Sequence, residues 1–360
     1  MPEPAPLRLH DEDPALFREA VRFTAAQTGF VPRIIEKDYF CTVVLEYLAA
    51  STAELVFRGG TCLAKVHAEF YRLSEDLDFV IPTPLAASRS DRSRLAAPSK
   101  RAVGTIGREV PGLRVITALT GANDSSQYAA VLSYASLLST REEMLKIEIG
   151  LREPLLTPAP HGEARTLLLD PISNAPVVPA VPVHCLSRAE AMAEKLRAAM
   201  SRREAAVRDF YDVDHAVRRL GFRVNDPELL ALVREKLAVP GNDPVDVSPA
   251  RLAALRPQVE SQLKPVLRDR DFTEFDLNHA FRTVAGVAAA LDASSRSPDL
   301  TSEDRPGQRD LRGKDQRFRQ LAHHRDGPLG PEGDRRGDRR GLGTGREAVV
   351  PGRHGKIHGE

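Results

Sequence analysis

Residues 55–81 read LVFRGGTCLAKVHAEFYRLSEDLDFVI, and this stretch decides how the chain is to be folded. A short apolar run, Leu55 to Phe57, ends in Arg58-Gly59-Gly60-Thr61. A run of helical spacing follows from Cys62 to Phe70, with Leu63, Val66 and Phe70 on one side. Ser74-Glu75-Asp76-Leu77-Asp78 then leads directly into Phe79-Val80-Ile81. If Asp76 to Ile81 is a strand, Asp76 and Asp78 point to the same face, because side chains alternate with period two. Adjacent carboxylates repel, and a divalent cation such as Mg²⁺ or Mn²⁺ is the commonest reason to keep them together. A Gly-Gly pair between a strand and a helix lets backbone N–H groups approach an anion. Taken singly, Gly-Gly is most often a plain turn and Asp-x-Asp a solvated pair or helix cap. Their order, each bordered by apolar runs, is that of a phosphate cradle followed by a metal pair.

Downstream, Met144 to Leu151 alternates strictly. Leu145, Ile147, Ile149 and Leu151 fall on one face, and Lys146, Glu148 and Gly150 on the other. Glu148 is either a solvent-facing strand residue or the third carboxylate of a metal site on a neighbouring strand. Further strands are expected within Val110–Thr117 and Gln127–Leu138. Upstream, Asp13-Pro14 caps a first helix with Leu16, Val21 and Phe23 as its apolar side, after a loose leader over 1–11. Pro32 opens a second helix carrying Glu36-Lys37-Asp38.

The segment 174–182 holds three prolines and marks a linker or edge. Beyond it the periodicity is helical. Ser187 and Glu190 have the spacing of a capping box, and Asp226-Pro227, Ser248-Pro249 and Asp276 open three more helices. The expected organisation is a leader and first helix over 1–30, a mixed α/β sheet domain over 31–182, a helical domain over 183–294 and a disordered tail over 295–360. That tail carries 12 of the 24 glycines and 13 arginines with no periodic apolar positions, too little to offset its ordering entropy.

Composition narrows the field. The net charge of +1 divides into +4 for residues 295–360 and −3 for the remainder, so bulk charge does not make the body a nucleic-acid binder. Cys41, Cys62 and Cys185 form no CxxC pair and no metal-ligand spacing, and read as small buried residues of a reducing compartment. No run has the length of a membrane span and the N-terminal stretch lacks a signal-peptide core, so a cytoplasmic location is expected.

Arg58-Gly59-Gly60-Thr61 followed by Arg72-Leu73-Ser74-Glu75-Asp76-Leu77-Asp78 resembles the signature of the AbiEii/AbiGii-type toxins, nucleotidyltransferases related to DNA polymerase β. Glu36-Lys37-Asp38-Tyr39-Phe40 is similar to the family's N-terminal segment, and Lys195, Arg203 and Arg208-Asp209-Phe210-Tyr211-Asp212 to its later one. The resemblance covers about Val31 to Leu220. Gly-Gly-Thr stands where much of the wider superfamily has Gly-Ser, and Glu148 where it usually has Asp. The resemblance implies that Gly59, Gly60 and Thr61 hold nucleotide phosphates, with Lys37 and Lys195 also reaching the nucleotide. It implies Asp76, Asp78 and Glu148 as metal ligands, and Lys195 and Asp209 steadying triphosphate or substrate from the helical half. The implied reaction transfers NMP from an NTP to an acceptor hydroxyl such as a tRNA 3′ end, in a toxin of a toxin–antitoxin or abortive-infection system with a separately encoded antitoxin. Transfer of AMP to a protein hydroxyl and a non-catalytic nucleotide-binding regulator are the alternatives.

Overall fold

The computed structural model describes residues 8–296, with side chains through residue 293; the tail expected from 295 otherwise lies outside the described residues. Asp13 caps helix α2 (Pro14–Thr28) by accepting from Leu16 N at 2.9 Å, after a single-turn helix α1 (Leu9–Glu12). The end of the expected leader is therefore anchored. His10 is buried, with Nδ1 3.0 Å from the Tyr39 hydroxyl and Nε2 3.0 Å from the Pro111 carbonyl oxygen. The buried side of α2 is Phe17, Ala20, Val21 and Thr24; of the expected Leu16, Val21 and Phe23, only Val21 belongs to it. The observed set follows i, i+3, i+4, i+7 spacing, whereas Leu16 and Val21, five apart, lie on different sides of the helix.

Helix α3 (Pro32–Ser51) is buried without a break from Ile34 to Leu45, which makes it a core element and not an amphipathic surface helix. Strand β1 (Val56–Arg58) follows, then the one-turn helix α4 (Gly59–Cys62), a π-helical turn at Leu63–His67, and strand β2 (Asp76–Val80). Helices α5 (Arg89–Leu95) and α6 (Ala97–Glu109) precede strands β3 (Leu113–Ala122), β4 (Gln127–Ala135) and β5 (Glu142–Gly150). The apolar pattern does not announce α6, because Gly104 and Gly107 interrupt the buried Ala102, Val103 and Ile106.

The five strands form one mixed sheet in the order β1-β2-β5-β4-β3. β2 and β5 are parallel, and the other pairs are antiparallel. One face carries Leu77 and Phe79 of β2, Leu145, Ile147 and Ile149 of β5, and Tyr128, Ala130, Leu132 and Tyr134 of β4, all buried in one apolar cluster with α3. Tyr134 stacks on Phe40 of α3 with ring centroids 3.8 Å apart. Burying each such side chain contributes roughly 1.5–3 kcal/mol, which fixes the register of β5 and leaves Lys146 and Glu148 on the opposite face.

A two-stranded ribbon, β6 (His161–Ala164) with β7 (Val181–His184), occupies the proline-rich edge. Helices α7 (Arg188–Ser201), α8 (Val207–Arg219), α9 (Pro227–Ala238), α10 (Pro249–Gln258), α11 (Asp269–Thr273) and α12 (Leu277–Arg296) complete the described chain. Only half of the capping box at α7 forms. Ser187 Oγ accepts from Glu190 N at 3.2 Å, but the Glu190 carboxylate turns to Thr157 N at 2.9 Å and to Lys236 Nζ at 2.7 Å. The helical half has its own apolar cluster, which also takes in Val56, Leu63, Ala64, Tyr71 and Val80 from around the acidic strand.

Candidate active site

Strand pairing brings the acidic residues together. In the parallel β2–β5 ladder, Asp78 is the register partner of Glu148 and Asp76 that of Lys146, so all four side chains leave the same sheet face. β1 runs on the other side of β2, with Arg58 opposite Asp78, and its chain turns at Gly59 directly into α4. Gly59 has φ +77°, and a Cβ on it would overlap the Asp78 carboxylate. The first glycine is therefore required both by its backbone conformation and by the closeness of the acidic strand. Thr61 donates its hydroxyl to the Asp76 carbonyl, so this side chain locks the Gly-Gly turn onto β2.

Gly60 answers to a different neighbour. A Cβ there would overlap the guanidinium of Arg72, which is buried beneath the turn. Arg72 grips Asp212 of α8 through Nε at 2.5 Å and Nη2 at 2.8 Å, and Tyr71 donates its hydroxyl to the same carboxylate at 2.7 Å. Lys195 of α7 reaches Asp212 at 2.8 Å and Asp209 at 2.9 Å. Burial alone would raise the Asp212 carboxyl, but Arg72 and Lys195 outweigh it and hold this group well below the ordinary carboxylate range. Burial likewise works against the charge on Lys195, and the two aspartates together hold its ammonium above its usual value. Lys195 is thus a buried group paired with two carboxylates, not the solvated residue that a lysine in mid-helix usually is.

The segment Glu36-Lys37-Asp38 points three ways from α3. Glu36 accepts from Leu137 N and Ser136 Oγ, both at 2.7 Å, and so ties down the loop after β4. Asp38 pairs with the fully buried Lys65 at 2.7 Å and accepts from Leu167 N at 3.1 Å. Lys37 faces the acidic strand, with Nζ 3.3 Å from Glu75. Burial raises the Asp76 carboxyl, and Lys37, Lys146 and Arg208 act against that rise, so these three cations surround it. One further cation belongs to this neighbourhood: Arg58, beside Asp78, bonds Glu194 of α7 at 3.2 Å. The sequence reading contains Arg58, Arg72 and Asp212 as parts of motifs without giving them a task; their place in the signature was the available signal.

The donor set fits a hard divalent cation. Asp78 is pushed up to about 6, first by burial and then by the carboxylates of Glu148 and Asp76, with Arg58 the main opposing charge. Three carboxylates leaving one sheet face offer the oxygen ligands a hard cation takes, and such a cation would offset the burial that raises Asp78. Glu148 Oε1 takes Lys146 Nζ at 2.5 Å, so this carboxylate is already paired with that lysine. The cysteines depart from the reading of the sequence. All three are buried as expected, but Cys62 and Cys185 come together with His67, so the absence of a ligand spacing along the chain does not carry over to space.

A mixed sheet with a glycine turn closing on an acidic strand, and helices that carry Lys195 and Arg208 beside it, is the layout of a nucleotidyltransferase. The family model described as nucleotidyl transferase AbiEii toxin, type IV toxin–antitoxin system, matches residues 44–289, and the chain belongs to that family. Among solved structures, it is similar to MenT4, a nucleotidyltransferase toxin from Mycobacterium tuberculosis H37Rv. The two are 21% identical over 78% of this chain and 99% of that one, with a TM-score of 0.48. It is also similar to JHP933 from Helicobacter pylori, at 17% identity over 74% of this chain and 96% of that one, with a TM-score of 0.43. No curated protein matches the chain. Among the described residues, no helix is long and apolar enough to cross a membrane.

Proposed function

We propose that the chain transfers a nucleoside monophosphate from an NTP to the terminal hydroxyl of an RNA acceptor such as a tRNA 3′ end, as the toxin of a pair with a separately encoded antitoxin. The observation that carries the reading is the convergence of Asp76, Asp78 and Glu148 on one sheet face, with the Gly59-Gly60-Thr61 turn closed against them. A Mg²⁺ or Mn²⁺ ion held by these carboxylates would neutralise triphosphate oxygens and polarise the attacking hydroxyl.

The chain's own groups supply the rest. The backbone N–H groups at Gly59, Gly60 and Thr61 offer donors to phosphate oxygens, and Lys37 and Arg208 add positive charge beside Asp76. Lys195, fixed by Asp209 and Asp212, presents a rigid cation from the helical half toward the nucleotide. Glu148 accepts the acceptor hydroxyl proton on its carboxylate. In this reading residues 31–182 bind the nucleotide and residues 183–294 close the site from the other side. Positioning and charge neutralisation do most of the work in phosphoryl chemistry.

The test incubates the full chain with each α-labelled NTP, Mg²⁺ and total RNA or total protein. Label in RNA that disappears with Asp76→Ala supports the proposal. Label in protein supports AMP transfer to a hydroxyl side chain in its place, and nucleotide binding without transfer supports the non-catalytic regulator.

A further inference from the structure

Cys62, His67 and Cys185 lie outside the acidic site, and their Sγ and ring nitrogen atoms all fall within 4.8 Å of one another. The backbone assembles them for separate reasons. Cys62 ends α4 and His67 ends the π-helical turn at Leu63–His67. Residues five apart stand about 140° apart around an α-helix, and the wider π turn carries them toward one side. Cys185 follows β7 and is pinned by the bonds Cys185 N to Pro160 O at 3.1 Å and Leu186 N to Phe57 O at 3.0 Å. Over the group lies Gly162 of β6, where a Cβ would come within 2.7 Å of Val66 Cγ1 and 2.9 Å of Cys185 Sγ.

His67 is also oriented. Its Nε2 lies 3.0 Å from the Leu186 carbonyl oxygen, which can only accept, so in the neutral ring the proton sits on Nε2 and the lone pair on Nδ1. Metal-binding histidines are held in this way, one ring nitrogen donating to a backbone carbonyl while the other ligates.

We infer that Cys62, His67 and Cys185 form a zinc site that joins the helix of the Gly-Gly turn to the segment leading into α7. Two thiolates and a neutral imidazole are the ligands Zn²⁺ prefers, and two thiolates cancel its charge, so burial leaves no net charge behind. Sulfur ligands of a tetrahedral zinc ion stand about 3.8 Å apart, so the three atoms need to draw in by no more than about 1 Å. The three ligands leave a fourth position to water. The inference stands apart from nucleotidyl transfer, since it concerns neither the carboxylates nor the nucleotide.

Cobalt tests it on the full, reduced chain stripped of metal. Titration with Co²⁺ should develop a thiolate-to-metal charge-transfer absorption that saturates near one equivalent and is displaced by Zn²⁺. Histidines elsewhere in the chain can bind cobalt but cannot produce that band. Cys62→Ala and Cys185→Ala should each abolish it, and Cys41→Ala should keep it. Zn²⁺ at a hundredfold excess over its Kd should raise the Tm of the parent chain by about 5–10 °C. A folded, reduced parent chain without the band overturns the inference, as does a band that survives the Cys62→Ala/Cys185→Ala double variant. Peptide mapping that finds Cys62 and Cys185 joined as a disulfide in the freshly isolated protein overturns it too.

Discussion

Arg72 and Asp212, 140 residues apart, meet beneath the Gly-Gly turn with two parallel bonds of 2.5 and 2.8 Å from the guanidinium to opposite carboxylate oxygens. Neither side chain is more than 2% exposed. A pair so buried is costly to desolvate and still costlier to break, because the surviving charge loses its partner in a medium that cannot solvate it. The pair therefore fastens the segment leading into β2 to α8, directly below the proposed phosphate cradle.

Removing one partner should be expensive. Arg72→Met is expected to lower the free energy of unfolding by about 3–5 kcal/mol in urea titration, with Lys195 left as the main cation on Asp212. Replacing both partners, Arg72→Met with Asp212→Leu, should recover part of that loss. If the double variant is as unstable as the sum of the single ones, the two side chains are not coupled as described.

The two glycines should fail for different reasons. Gly60→Ala pushes against the Arg72 guanidinium, whereas Gly59→Ala meets the Asp78 carboxylate and also places a side chain at φ +77°. Both should destabilise the chain, by about 1–3 kcal/mol for Gly60→Ala and more for Gly59→Ala. Gly60→Ala should cost markedly less in an Arg72→Met background. An equal cost with and without Arg72 would show that this contact is not what requires a glycine.

The pH dependence follows from Asp78. Its folded-state pKa, about 6, lies above the ordinary carboxylate value of 3.8, so the folded chain holds this proton more tightly than the unfolded one. The stability from this group is complete below about pH 4 and is lost as pH rises through about 6. In the absence of divalent cation, Asp78→Asn should therefore raise Tm at pH 8 and change it little at pH 4. Proton and cation compete for the same carboxylate, so the Kd for Mg²⁺ should rise as pH falls below about 6, by up to tenfold per unit. Isothermal titration across pH 5–8 reads this directly, and an affinity flat through that range would remove Asp78 from the ligand set.

Lys195 and Asp76 should separate charge placement from cation binding. Asp76→Asn is expected to keep the fold and reduce transfer on the order of a thousandfold or more, through loss of the cation. Lys195→Met should reduce transfer while Mg²⁺ still binds, and should also lower Tm because Asp209 and Asp212 lose a shared partner. Lys195→Met with unchanged Tm and unchanged rate would leave the lysine without either task.

Much of this was legible along the chain because it depends on short-range periodicity. The alternation of Leu145, Ile147, Ile149 and Leu151 sets which face of β5 is buried and so places Glu148 on the other. The same period of two puts Asp76 and Asp78 together, and the caps at Asp13, Ser187, Asp226 and Ser248 mark where helices begin. These features follow from backbone geometry within a few residues. What only the tertiary structure decided is which distant groups satisfy which buried charges. Glu36, Lys37 and Asp38 are adjacent in sequence, yet they serve a loop, the acidic strand and Lys65. Glu190 has the spacing of a capping box and spends its carboxylate on Thr157 and Lys236. Gly60 reads as a phosphate-binding glycine, yet a Cβ there would meet Arg72, and Cys62 meets Cys185 across 123 residues. A buried polar group takes whatever partner the folded chain brings within hydrogen-bond distance, and sequence spacing does not encode that distance.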